Sequence, residues 1–369
     1  MSKSLIRKYL FITAIIIAYV VLIIFSISSN KKNLQATTYK AWYRNYVIQS
    51  IKGTYVNTGD EDHPTALSES QGYGMVITAL AAQKGFASEA QFSRLFNYYK
   101  DHTISENIPL MMWKQHETSK GWISVDKNNA TDGDLDIAYA LILAQRLWPN
   151  SEYHYGKAAE AILNAIKKYN YNPETGLLTV GNWATPNEKQ NKLLRPSDII
   201  PTYFNTFSKF TNDDFWTQLE KRSAWAISEL SDQHASGLIP DFAWVKGNQI
   251  TPVKPKEISG KYDGDYSYNA ARIPLRLSDS KDKKVEKALN KMLTFFQKQP
   301  VIRGGYTLTG KKLVDNQSAS YSAPILYATN NQKNYTGLYA SQRWVFEHPL
   351  NGKDYYGDTL KTMVLLKLY

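Results

Sequence analysis

The chain has 369 residues, 43% of them hydrophobic, with a formal net charge of +11, nine Trp, 26 Tyr and no Cys. That length can bury a sizeable core, and the missing cysteine excludes disulfides, thiolate nucleophiles and lipoprotein attachment. Residues 1–32 hold five bases and no acid, which leaves 39 bases against 33 acids elsewhere; with no Lys/Arg stripe, no nucleic-acid partner is expected.

The first element is YLFITAIIIAYVVLIIFSI, residues 9–27, uncharged for 19 positions. As a helix rising about 1.5 Å per residue it covers nearly the hydrocarbon thickness of a bilayer. Lys3, Arg7 and Lys8 precede it, so the positive-inside rule keeps residues 1–8 in the cytoplasm. Residues 9–28 therefore read as a single-pass transmembrane signal anchor in the cell membrane, with the remainder extracellular. A cleaved signal peptide is the alternative, although the apolar run is long and SISSNKK offers no A-x-A site. Residues 29–37 are polar and read as a short tether.

Twelve helical segments follow, at 38–51, 68–84, 87–100, 134–148, 155–169, 198–211, 214–231, 266–277, 283–298, 317–328, 334–347 and 353–367. Loops rich in Gly, Pro, Asn and Asp separate them, the longest being 52–66, 170–197 and 246–264. Strand-like alternation is sparse and no break in composition divides 38–369. The pattern predicts one mostly helical domain.

Three acids, Asp132, Asp134 and Asp136, alternate where the helix at 134–148 begins. Thr131 or Asp132 suits the N-cap, and acids in a first turn suit the positive end of the helix dipole. Ala130 and Gly133 leave little bulk around Asp132. Upstream, SESQGYGMVITALAA (68–82) puts Glu69 at a helix start with Gly72 and Gly74 on either side of Tyr73, glycines that permit close approach of another backbone. Six histidines form no metal-binding spacing, and no G-x-S-x-G, P-loop or dinucleotide fingerprint occurs. No metal or cofactor is expected.

ATDGDLDIAYALILAQRLW (130–148) resembles the signature of glycoside hydrolase family 8, through Ala130, Thr131, Asp132, Gly133, Asp134, Ile137, Ala138, Ala140, Leu141, Ala144 and Trp148. The resemblance runs through most of 38–369 and implies an all-α (α/α)6 barrel. It implies that Glu69 is the general acid, with a pKa raised by burial, and that Asp132 steadies a distorted sugar ring next to the scissile bond. Asp134 and Asp136 are expected to support it. PSDIIPTYF (196–204) resembles a cleft-lining segment contributing Asp198 or Tyr203. YSYNAARIPLRL (266–277) resembles the segment that carries the general base, with Tyr268, Ala270, Arg272 and Pro274 in place but Asn269 at the base position. An amide accepts no proton from water near neutral pH, so Asn269 can position the water but not activate it. Asp265, one helical turn earlier, is the expected replacement, then Asp263 or Asp241. Trp113, Trp122 and Trp183 are candidate sugar platforms, with Tyr73 beside Glu69.

The resemblance thus implies an endo-acting, inverting hydrolase of a β-1,4-linked polysaccharide, with cellulose, mixed-linkage glucan, xylan or chitosan as the substrates it offers. Its location suggests the cell's own exopolysaccharide and a neighbouring polysaccharide synthase. The competing reading, prompted by Asn269, is a non-catalytic glycan-binding accessory of such a synthase.

Overall fold

The computed structural model describes residues 3–368 except 61, 120 and 331; within the first 25 residues, side chains are described only at 12, 13, 16, 17 and 19–23. Its helices are α1 (Lys3–Tyr46), α2 (Ser68–Gln83), α3 (Glu89–Asp101), α4 (Thr131–Leu147), α5 (Tyr155–Tyr169), α6 (Pro201–Thr211), α7 (Phe215–Asp232), α8 (Ile273–Leu277), α9 (Lys283–Gln297), α10 (Ala319–Thr329), α11 (Thr336–Gln342), α12 (Trp344–Glu347) and α13 (Tyr355–Leu368). Two kinds alternate along the chain. Helices α2, α4, α10 and α13 are buried nearly all round, while α3, α5, α7 and α9 carry one apolar stripe. A helix apolar on every side needs neighbours on every side, so the first kind forms an inner ring and the second an outer one. The inner ring closes: α2 packs on α4, α4 on α6, α6 on α8, α8 on α10, α10 on α13, and α13 back on α2. With α11 and α12 acting as one bent outer helix, this is a barrel of six helical hairpins.

Closure brings the first turns of the inner helices to one end. Strands also gather there: β1 (Val47–Ser50) with β2 (Gly53–Val56), then β3 (Thr65–Leu67) and β4 (Thr103–Ser105) on the two ends of β5 (Ile108–Thr118), which pairs with β6 (Gly121–Asn129). A two-residue pair, β7 (Tyr171–Asn172) and β8 (Leu177–Leu178), follows, and β9 (Leu193–Leu194) joins the hairpin of β10 (Ala243–Lys246) and β11 (Gln249–Pro252). The β5–β6 hairpin was not legible from alternation, because its register shifts twice and Leu110 and Met111 are buried side by side.

Three expectations need correction. The helix expected over 38–51 ends at Tyr46, and the chain turns into β1. The stretch 29–37 is helical and joined to the barrel, with buried Gln35 donating from Nε2 to the Leu365 carbonyl at 2.9 Å. The helix expected over 266–277 is confined to Ala270–Leu277, a 3-10 turn followed by α8. Among the described residues, no helix is long and apolar enough to cross a membrane; much of the 9–28 anchor segment lies outside the described side chains.

Candidate active site

Glu69 lies in the first turn of α2 and Asp132 in the first turn of α4, and the two helices meet there almost backbone to backbone. A Cβ added at Gly133 would stand 2.5 Å from the Ser68 carbonyl carbon and 2.8 Å from the Glu69 nitrogen. One added at Gly72 would stand 2.8 Å from the Gly133 oxygen. Neither distance is possible, so both glycines are required by the contact that sets the two acids side by side.

Arg272 bridges the acids. Its Nη1 donates to Glu69 Oε2 at 2.7 Å and to the Tyr73 hydroxyl at 3.0 Å, and its Nη2 donates to Asp132 Oδ2 at 2.8 Å. Arg195 pairs with the other Asp132 oxygen at 2.7 Å and donates from Nε to both oxygens of Asp198, at 2.8 and 3.0 Å. A buried guanidinium with two fixed donor directions suits this double grip better than an ammonium would.

The environment splits the two acids. Burial pushes Glu69 above the ordinary carboxylate range and the Asp132 charge adds to the rise, against the pull of Arg272 and Arg195. Burial acts on Asp132 in the same sense, but there Arg195, Arg272 and the Gly133 N–H outweigh it and hold the carboxyl below its usual range. Glu69 is thus shifted toward its protonated form beside a fixed negative charge, and 22% of its side chain stays open while Asp132 shows 3%. Two neighbouring titratable groups pushed apart are the mark of an acid with an ionised partner.

Asp134 and Asp136 are structural. Asp134 accepts from the Met111 N–H and Asn129 Nδ2, tying β5 and β6 to α4, and burial pushes its carboxyl up to about 8. Asp136 takes both terminal nitrogens of Arg276, at 2.8 and 2.6 Å, and the Tyr203 hydroxyl at 2.7 Å. Neither proposed N-cap is used as one: Ala130 precedes α4, Thr131 donates from Oγ1 to the Thr179 carbonyl, and Asp132 is committed to the arginines. Tyr73 and Tyr203 are buried and spend their hydroxyls in this network, so they brace the site from beneath.

In the segment leading to Arg272 the expected base moves. Asp265 lies in a bend and Tyr266 is bridged to Tyr306, so Asp265 is not one helical turn before Asn269; its carboxyl lies by the Leu308 N–H. Asp263 accepts from the N–H groups of Ile258, Ser259 and Gly260 and organises its own loop. Asp241 is the acid that reaches Asn269. Its Oδ1 accepts from the Ala270 and Ser267 N–H groups at 2.7 and 3.1 Å, and its Oδ2 from Asn269 Nδ2 at 3.4 Å. Burial pushes Asp241 up to about 6 against those hydrogen bonds. Burial likewise lifts Asp198 to about 6, opposed by Arg195.

Around the opening, Tyr268 is 60% exposed, near the rings of Tyr321 and Tyr356, and its carbonyl accepts from the Tyr356 hydroxyl. Trp183 is 37% exposed, on a loop tied to Asn129 through Asn182. Trp113 stands part-exposed on β5, two residues beyond Met111. Trp122 belongs elsewhere: its ring packs 4.8 Å from that of Tyr55 and its N–H goes to the Tyr98 hydroxyl, which makes it a brace of the hairpin. Arg195 and Arg276 escaped the sequence reading. The only signal was an Arg three residues before Asp198 and another in the turn after Arg272.

Comparison with known proteins gives the family. The model of the glycosyl hydrolases family 8 matches residues 11–368. The chain belongs to that family. This family 8 chain is 30% identical to the Beta-glucanase of Niallia circulans over 88% of its own length and 81% of the relative's. It is 31% identical to an Endoglucanase of Bacillus sp. (strain KSM-330), over 89% and 74% of the two chains. The apo structure of the beta-1,3-1,4-glucanase from Paenibacillus sp. X4 superposes with a TM-score of 0.84 at 28% identity, covering 92% of each chain. The chain is therefore a glycoside hydrolase of the inverting type that characterises family 8.

Proposed function

We propose that this family 8 hydrolase cuts β-1,4-linked glucan internally, mixed β-1,3-1,4 linkages included, and that the cell's own exopolysaccharide is its substrate. The observation that carries the reading is the Glu69–Arg272–Asp132 bridge, which keeps a protonatable acid beside a permanent negative charge. Glu69 delivers its proton to the glycosidic oxygen as the bond to the anomeric carbon breaks. Asp132 Oδ2, bonded by Arg272 alone among the described residues, has an acceptor direction left for a sugar hydroxyl and stabilises positive charge on the ring. Asn269 orients a water on the opposite face, and Asp241, raised to about 6, takes its proton as the water oxygen bonds to the anomeric carbon. Trp183 and Tyr268 offer exposed rings for sugar stacking. The names of the two glucanase relatives support the choice of glucan.

The same proposal puts the enzyme on the outer face of the cell membrane, held by residues 9–28, within reach of a polysaccharide synthase. It is supported by the apolar side chains of Ile12, Ile16, Ile17, Val20, Val21, Leu22 and Ile23, all exposed on α1, and by the basic residues that precede them.

The test is product analysis of the full chain on mixed-linkage β-glucan, soluble cellulose and purified exopolysaccharide, with the anomer followed by NMR. Fresh α-anomer and internal cuts are expected. Glu69→Gln should lose 10²- to 10⁴-fold in kcat with glycan binding kept; a variant retaining half of wild-type turnover would remove Glu69 from the role.

A further inference from the structure

We propose that the base of the barrel, the end opposite the cleft, rests on the anionic headgroups of the bilayer that α1 enters, so that the cleft opens away from the membrane at a fixed height. This rests on the anchoring reading above and goes beyond it. An anchor alone, joined by a flexible tether, would leave the catalytic domain free to tumble.

The linkage is stiff. Residues 3–46 contain neither Gly nor Pro, and the helix is unbroken through the stretch that would have to bend. Three hydrogen bonds clamp its second half to α13: Gln35 Nε2 to the Leu365 carbonyl at 2.9 Å, Trp42 Nε1 to Thr359 Oγ1 at 2.9 Å, and the Tyr46 hydroxyl to Asp358 Oδ2 at 2.7 Å. Later residues of α1 meet earlier residues of α13, so the two helices are antiparallel. The first turn of α13 is at the cleft, where Tyr356 bonds the Tyr268 carbonyl. Tyr46 is therefore at the cleft end and Gln35 toward the base. From Lys31 to Tyr46 the helix climbs about 22 Å at 1.5 Å per residue. The chain leaves the barrel at its base, and the apolar segment continues from there.

The base is built for that neighbour. The last turns of the inner helices arrive there, and a groove beside α1 is lined by Ile27, Lys31, Lys32, Lys84 and Phe86, with Lys84 directly following α2. A second groove on the other flank of Lys31 includes Lys333, Tyr339 and Leu368. Four lysines with interleaved apolar and aromatic side chains match the phosphate level and the acyl boundary of an anionic bilayer. Lysines near helix C-termini also complement the dipole, but that alone gives no reason for Ile27 and Phe86 to line the same groove. The consequence for function is that the enzyme engages strands standing off the membrane rather than lying on it.

The chain has no cysteine, so single labels are clean. Gly337→Cys puts a fluorophore at the base, where an added side chain meets nothing within 4 Å. Asn187→Cys puts one on the exposed loop beside Trp183, at the cleft end. The full chain is reconstituted in phosphatidylglycerol vesicles carrying a headgroup nitroxide, a quencher that acts near contact. Quenching several-fold greater at position 337 than at 187 is expected. The pair Lys84→Glu and Lys333→Glu should at least halve the quenching at 337, with activity on soluble glucan unchanged. Equal quenching at the two sites, or more at 187, overturns the orientation; lysine reversals without effect overturn the headgroup contact. Flotation separates the two levels: a full chain that does not float with vesicles defeats the anchoring reading and this inference with it. One that floats with the rim label quenched defeats this inference alone.

Discussion

Replacing Gly133 by Ala adds one methyl group where the structure has no room for it. The new Cβ would lie 2.5 Å from the Ser68 carbonyl carbon, so α4 must retreat from α2 by about 0.9 Å to restore ordinary contact at 3.4 Å. In an open helical position the change would be favourable by about 0.4–1 kcal/mol, through the unfolded state. Here overpacking costs about 1–3 kcal/mol instead, so a net loss of about 1–2 kcal/mol is expected. For a chain of this size each kcal/mol lowers Tm by about 2 °C or somewhat less. The larger effect is on catalysis. The retreat separates Glu69 from Asp132 within the reach of Arg272, and a misplacement of about 1 Å can cost on the order of 10²-fold in rate. The assay is kcat on mixed-linkage β-glucan beside a thermal melt, with Gly337→Ala, which meets nothing within 4 Å, as the control expected to hold or gain stability. If Gly133→Ala keeps wild-type kcat and Tm, the glycine contact does not set the geometry of the acids and the argument fails.

The base assignment is tested by a panel. Asp241→Asn should lower kcat by 10²-fold or more while Asp265→Asn stays within about threefold of wild type; loss in Glu257→Gln, which removes the carboxylate that pairs with Lys189 on the neighbouring loop, with Asp241→Asn unimpaired, would transfer the role to that loop. Because the Asp241 carboxyl is raised to about 6 in the fold, it gives stability that is full below its ordinary value near 4 and lost as pH rises through 6. Asp241→Asn should therefore flatten the fall in unfolding free energy between pH 4 and 6, by an amount on the order of 3 kcal/mol at most; an unchanged slope refutes the shift. Asp136→Ala leaves Arg276 charged and buried without its partner, and should cost about 3–5 kcal/mol in urea unfolding. On fractionation the whole chain should sediment with membranes and resist high salt, and a processed form beginning near Asn30 in the medium would contradict the anchor.

The sequence by itself carried the family through 130–148, because that stretch holds in one run an acid, the glycine that lets a neighbouring helix touch, and the apolar face that packs the inner ring. It carried most of the helices for a similar reason: 155–169 and 283–297 have a strong single stripe, and periodicity is a local property of the chain. Glu69 is marked as a candidate acid only by the resemblance of 68–82 to a family 8 segment, and the need for Gly72 becomes visible only where it meets the Gly133 oxygen. What only the tertiary structure decided are the long-range pairings. Arg272 reaches Glu69 across 203 residues, and Arg195 closes on Asp132 from a loop with no periodic signal. The base candidate is Asp241 rather than Asp265 because the helix that periodicity predicts over 266–277 begins only at Ala270. In the fold Asp265 lies in a bend, Tyr266 is bridged to Tyr306, and a carboxylate 28 residues before Asn269 accepts the hydrogen bonds from Ser267, Asn269 and Ala270. The tether became a rigid helix for the same reason: polarity at 29–37 suggested a loop, but a polar residue such as Gln35 can be buried when a distant carbonyl is there to receive it.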